Sequence, residues 1–277
     1  MNYFSAANKT SQVLTTLPLN SKEVKESESN LKNPDSQFMP RPFLKWAGGK
    51  GQLLPEIRKR YMLALNSNIT KYAEPFVGGG AVLFDIITVH NFKEVYVSDI
   101  NPDLINTYKI IRDNVDELIK ELASLQESLL SLDIEGRKTL YREIRDEFND
   151  IKINGDSSKN LRKAALMIFL NKTCFNGLYR VNRKGLFNVP MGDNKNPLIC
   201  DKENLLAVSQ ALKNVKIVCA QFTDSESFID EHTLVYLDPP YRPLNKTSSF
   251  TSYTENSFDD EQQKRLAAYI DCLSAKG

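Results

Sequence analysis

Residues 72–99 read as strand, glycine turn, helix and strand, and that order constrains the fold more than any other stretch of the chain. Residues 72–76 form a short strand that runs through Val77 into Gly78-Gly79-Gly80. An apolar helix over 81–87 follows, and residues 95–99 form a second strand ending in Asp99. The next helix is expected at 102–114, with Pro102 in a first turn that tolerates it. Glycines let the backbone approach a ligand and adopt positive φ, and the helix behind them begins with unpaired N–H groups. The turn is not the G-x-G-x-x-G fingerprint, so pyrophosphate binding is not implied.

The rest of the chain alternates in the same way around one interruption. Residues 115–150 and 160–174 are charged and amphipathic, with Leu118, Ile119, Leu122 and Leu125 at helical spacing. Residues 178–181 and 186–189 alternate like strands around Asn182-Arg183-Lys184-Gly185, which is good hairpin-turn chemistry. Two buried-type strands follow at 215–219 and 234–237. The expected fold is α/β: an open sheet carrying an inserted helical subdomain with a β-hairpin. The expected partition is a sheet domain from 37–114 and 201–277, and an inserted subdomain at 115–200. The first 36 residues hold six serines and five asparagines without sustained periodicity, and read as a disordered extension. A last helix at 259–275, with Leu266, Ile270 and Leu273 on one face, ends where another strand is expected. A C-terminal truncation is therefore expected too.

Composition narrows the chemistry. No apolar run reaches the roughly 18 residues of a membrane helix, and no secretion signal opens the chain, so a cytoplasmic location is expected. Cys174, Cys200, Cys219 and Cys272 are scattered and only His90 and His232 are present, so no metal site is expected. Carboxylates, backbone and a cofactor must carry the reaction. The net charge of +1 conceals an asymmetry. Residues 116–150 hold ten acidic and five basic side chains, and residues 161–200 hold seven basic and one acidic. The second segment is suited to a polyanion.

Three constellations carry that chemistry. In Glu74-Pro75-Phe76-Val77-Gly78-Gly79-Gly80 the strand delivers a glycine turn, and Asp99 lies 19 residues after Gly80. That offset suits a carboxylate that accepts from ribose hydroxyls, although Asp99 could instead cap the helix at Pro102. Asp238-Pro239-Pro240-Tyr241 directly follows a strand, and its prolines force the chain out at the carboxyl edge of the sheet. A carboxylate, proline carbonyls and an aromatic face there suit a planar amine. Phe43-Leu44-Lys45-Trp46-Ala47-Gly48-Gly49-Lys50 places the one tryptophan beside glycines and lysines, as a cover for a bound ring or as core.

These blocks, with F-N-G-L-Y-R-V-N, F-N-V-P and S-F-T-S-Y in order, resemble the Dam-like DNA adenine-N6 methyltransferases. That family includes methylases of restriction systems that recognise GATC, and the resemblance covers about residues 41–277. It implies a Rossmann-like S-adenosylmethionine-dependent fold with an inserted target-recognition subdomain. It implies cofactor contacts at Trp46, Lys50, Asp99 and Asp238, with Glu74, Phe76, Gly78 and Gly80 of the glycine turn. Asp238, Pro239, Pro240 and Tyr241 resemble the catalytic loop that receives a flipped adenine. Phe175 and Asn176 match the positions that fill the space the base leaves, and Leu178, Arg180 and Pro190 match the DNA-reading groups.

The hairpin alternation agrees with that assignment. Tyr179, Val181, Phe187 and Val189 share an apolar face, while Leu178, Arg180, Asn182, Asn188 and Pro190 share the other. Arg183 and Lys184 at the turn are expected on phosphate. The expected partner is double-stranded DNA, bound by a monomer or weak dimer. A methyltransferase acting on cytosine N4, another DNA sequence or RNA is the alternative within the class, and an inactive DNA-binding protein is the alternative outside it.

Overall fold

The computed structural model describes residues 39–46, 48–240 and 258–275. The expected extension over residues 1–36, Tyr241 and the S-F-T-S-Y block at 249–253 lie outside them.

Four parallel strands make the described sheet: β1 (Lys71–Glu74), β2 (Glu94–Asp99), β3 (Val215–Cys219) and β4 (Thr233–Val235), in the order β3-β2-β1-β4. Tyr72 pairs with Val95 on one side and Leu234 on the other, and Asp99 pairs with Cys219. Tyr72, Ala73 and Val97 are fully enclosed, as parallel strands covered on both faces must be. β1 stops at Glu74, short of the expected end, because Pro75 has no N–H to continue the ladder. Contact resumes where the Val77 amide donates to the Ser98 carbonyl at 3.0 Å. β4 runs shorter than expected, although the Tyr236 amide still donates to the Ala73 carbonyl at 2.9 Å.

Two helices had no counterpart in the sequence reading: α1 (Leu54–Ala64), which precedes β1, and α7 (Lys202–Leu212), which leads into β3. Helix α2 (Ala81–Val89) connects β1 to β2. Helix α3 (Pro102–Asp113) is capped by Asn101, whose Oδ1 accepts from the Asp103 and Leu104 amides at 3.0 Å each. Asp99 is thus not the cap. Helices α4 (Val115–Leu130), α5 (Ile134–Asn154) and α6 (Asn160–Thr173) form the helical block. Helix α6 is buried from Ala164 through Asn171, as a helix hydrophobic on every side requires. Leu118 and Leu122 of α4 and Tyr141 and Phe148 of α5 join it in one core with Leu104 and Tyr108 of α3 and Tyr72 of the sheet. Arg162 of α6 ties the block together, donating to both Glu147 carboxylate oxygens (2.8 and 2.7 Å) and to Glu121.

Two expectations need correction. Residues 178–190 form a hairpin without regular strands: antiparallel bridges join only Val181 to Phe187 and Cys174 to Met191. The short arms are held from outside the pair, because Asn149 of α5 hydrogen-bonds both polar groups of the Phe187 backbone. In helix α8 (Asp260–Ser274) the inward stripe is Leu266, Tyr269 and Leu273, while Ile270 is exposed. The Tyr269 hydroxyl sits 2.7 Å from Ser225 Oγ, and this buried partner sets the helix rotation. No helix among the described residues is long and apolar enough to cross a membrane.

Candidate functional site

The strand order makes a crevice. From β1 the chain crosses to β2 on one side, and β4 returns on the other, so connections diverge above the carboxyl ends of β1 and β4. Open α/β sheets take ligands at such switch points. Glu74 ends β1, Asp99 ends β2, and Asp238 with Pro239 and Pro240 follows β4. Lys50, from the segment before α1, places its Nζ 2.6 Å from Asp238 Oδ2 and donates to the Gly48 carbonyl at 2.7 Å. Glu74 is buried, with one carboxylate oxygen receiving the Tyr72 hydroxyl at 2.7 Å. Burial pushes the Glu74 carboxyl up to about 8; the Tyr72 hydrogen bond opposes this and the Asp238 charge adds to it.

Asp99 holds the glycine turn in place. Its carboxylate accepts from the Gly78 amide at 3.1 Å and the Asn101 amide at 2.9 Å, so one side chain ties the β1 turn to the start of α3. Burial raises its pKa, against the lowering effect of those backbone donors. Gly80 is required here on two counts. Its φ of 76° is left-handed, and a Cβ would lie 2.4 Å from the Tyr108 hydroxyl, which itself donates to the Gly78 carbonyl. Trp46 leans over the turn, with its Cδ1 3.0 Å from where a Gly78 Cβ would stand. Phe76 stacks on Phe222 at 5.4 Å and meets Phe258 edge-on, joining the smaller core beside α8.

Beyond α6 the chain makes a tight turn at residues 175–177. Asn176 adopts φ 55°, ψ 13°, and Phe175 is 49% exposed, a large apolar side chain presented to solvent. Asn171, buried at the end of α6, accepts from the Lys45 amide and donates to the Lys45 and Gly177 carbonyls, all within 2.9 Å. It fastens the Trp46 segment to this turn. The sequence signal for it was a single amide closing the apolar run 164–170.

The hairpin faces fall as the alternation predicts. Tyr179, Val181, Phe187 and Val189 are buried, while Leu178 and Arg180 are half-buried and Pro190 is exposed. Arg180 donates from Nε to Asn188 Oδ1 at 2.8 Å and from Nη2 to the Asn188 carbonyl at 3.3 Å, which sets the direction of the guanidinium. Arg183 and Lys184 are exposed at the tip. The basic excess is smaller than the sequence count, because Arg162 is committed to Glu121 and Glu147, and Lys163 lies 3.5 Å from buried Asp103.

Comparison with known proteins decides the family: the D12 class N6 adenine-specific DNA methyltransferases match residues 46–277. The chain belongs to this family. Over 238 residues it is 54% identical to the type II methyltransferase M.MjaIII of Methanocaldococcus jannaschii, covering 86% of this chain and 81% of that protein. It is 39% identical to the type II methyltransferase M1.LlaDCHI of Lactococcus lactis subsp. cremoris, over 86% of this chain and 78% of that protein. It is 37% identical to the DNA adenine methylase of Escherichia coli K12, over 84% and 76% respectively. This D12-class chain is therefore an adenine-specific DNA methyltransferase, and DNA is its substrate.

Proposed function

We propose that the enzyme transfers a methyl group from S-adenosylmethionine to adenine N6 in double-stranded DNA, within GATC, after the adenine is turned out of the helix. The observation that carries this reading is the Lys50–Asp238 pair at the switch point, with the glycine turn and Asp99 at the neighbouring strand ends. The residues present suit the cofactor. Gly78 and Gly80 let the turn close against Trp46 and Tyr108 with its backbone exposed to the crevice rather than a side chain, the Asp99 carboxylate suits ribose hydroxyls, and Trp46 offers a flat apolar cover. Glu74 and Lys50 line the same crevice, and Phe76 supports it from the smaller core. The bound cofactor supplies an electrophilic methyl group.

The chain's own groups prepare the acceptor. The adenine amino nitrogen is a poor nucleophile because its lone pair is delocalised into the ring. Asp238, steadied by Lys50 at Oδ2, and the Pro239 carbonyl accept its two hydrogens and favour a pyramidal nitrogen. Pro240 keeps that carbonyl rigid, and Tyr241 stacks on the extruded base, whose removal from the duplex costs a few kcal/mol. Rate enhancement then comes from positioning. Phe175 and Asn176 fill the space left in the duplex, Leu178, Arg180 and Pro190 read base edges, and Arg183 and Lys184 hold phosphate. Residues 37–114 with 201–277 serve the cofactor, and 115–200 serve target recognition.

The test is methyl transfer to GATC duplexes and to single-base variants, with nucleoside analysis of the product. N6-methyladenine formed fastest on GATC supports the reading. N4-methylcytosine, equal rates on every duplex, or no transfer overturns it.

A further inference from the structure

Tyr179 lies between the reading residues Leu178 and Arg180 but points the opposite way, into the protein. Its hydroxyl donates to Asp103 Oδ2 at 2.6 Å, and Lys152 Nζ of α5 donates to the same hydroxyl at 2.9 Å and the same carboxylate oxygen at 2.8 Å. Lys163 of α6 stands 3.5 Å from the other oxygen. Asp103 is in the first turn of α3, whose cap Asn101 donates its amide to Asp99. The Tyr179 ring meanwhile packs on Trp46 at 5.3 Å, and Trp46 leans on the glycine turn. One rigid side chain thus touches the cofactor-side tryptophan with its ring. Its hydroxyl is fixed to the helix that begins beside Asp99, and its backbone carries the reading face.

We propose that Tyr179 is a positioning residue that couples occupancy of the cofactor crevice to recognition of DNA by the hairpin. The inference rests on the assignment of crevice and hairpin given above. A buried tyrosine hydroxyl usually finds one hydrogen-bond partner, and this one engages two charged groups from two different helices. Here the hydroxyl joins a polar cluster around buried Asp103, with half-buried Lys152 and Lys163, that links α3, α5, α6 and the hairpin. A ligand pressing on Trp46 and the glycine turn changes the packing of the Tyr179 ring. The hydroxyl then transmits that change as a tilt of the hairpin, because a side chain pinned at one end can only pivot.

The experiment measures duplex affinity with and without S-adenosylhomocysteine, whose own binding is followed by fluorescence of Trp46, the one tryptophan in the chain. In the unaltered enzyme the product is expected to tighten cognate GATC binding at least fivefold and to leave a scrambled duplex unchanged. In Tyr179→Phe that ratio is expected to fall to within about twofold of one, with each ligand's separate affinity held within about threefold. Val189→Ala is the packing control: it trims the core under the same hairpin without touching the Tyr179 ring partners, and should lower the melting temperature while keeping the ratio. A Tyr179→Phe enzyme that keeps the full ratio overturns the coupling role and leaves the site assignment standing. So does an unaltered enzyme whose DNA binding ignores bound product. Loss of the ratio in Val189→Ala as well would reduce Tyr179 to a packing residue. An unaltered enzyme that shows no fluorescence response and no product binding defeats the crevice assignment itself.

Discussion

Glu74 carries a carboxyl with almost no access to water, and this burial raises its folded pKa from 4.5 to about 8 even though the Tyr72 hydroxyl donates to it. The unfolded chain gives up this proton at the ordinary value, so between those two pH values the folded state binds more protons than the unfolded one. Stability from this group is complete below about 4.5 and is lost as pH climbs through about 8. Glu74→Gln keeps the shape and removes the titration. Urea unfolding from about pH 5 to about pH 8 should show the unaltered enzyme losing up to about 1.4 kcal/mol per pH unit, with a flatter slope in the mutant. Parallel slopes would mean that Glu74 is ionised in the folded protein. Asp238 is expected to behave differently, because the role proposed for it is in the reaction. Asp238→Ala should abolish methyl transfer while duplex affinity changes little, since the basic hairpin lies elsewhere in the chain. Measurable turnover on a saturating GATC duplex would remove Asp238 from the catalytic role.

At the scale of elements, the proposed function makes the hairpin separate reading from holding. Arg180 is oriented by Asn188, whereas Lys184 projects from the tip. Arg180→Ala should cost about 1–3 kcal/mol of discrimination at one base pair, as the loss of a guanine contact does. Lys184→Ala should weaken all duplexes alike and reduce the salt dependence by about one ion. Methylation rates on single-base variants at two salt concentrations distinguish them, and uniform loss in Arg180→Ala would make that residue a phosphate contact. The same elements show what was readable beforehand. The βαβ start was legible because its signals are local: an apolar strand, glycines, and a proline-headed helix. Asp201, Leu205, Val208 and Leu212 carry an equally local helix signal for α7: a capping carboxylate followed by apolar residues at helical spacing. The regular strands expected in the hairpin shrink to one bridge, flanked by the Asn182 amide on the Leu186 carbonyl and the Asn188 amide on the Arg180 carbonyl. Asn149, from another helix, takes up the Phe187 backbone groups that face away from the opposite arm. The Lys50–Asp238 pair and the clamp at Asn171 join segments far apart in the chain, so only the folded topology reveals them.

At the scale of the whole molecule, the question is whether the helical block is a separable domain or part of one cooperative unit. Helix α6 packs against α3, α4 and α5, and α3 carries Tyr108, whose hydroxyl supports the glycine turn. Buried residues of the block and the sheet belong to one continuous cluster. The Arg162 and Asp103 groups also cross-link the helices by charge. A block that shares its core with the sheet has no apolar surface of its own to sustain independent folding. Urea unfolding followed by Trp46 fluorescence, which reports the crevice, and by far-ultraviolet circular dichroism, which the helices dominate, should therefore give coincident curves. S-adenosylhomocysteine at about one hundred times its dissociation constant should shift both curves together, by about 2.7 kcal/mol. A dichroism transition left in place while the fluorescence transition moves would show that residues 115–200 fold as a separate unit. The continuity of the core through α3 and α6 would then be insufficient to bind the two halves.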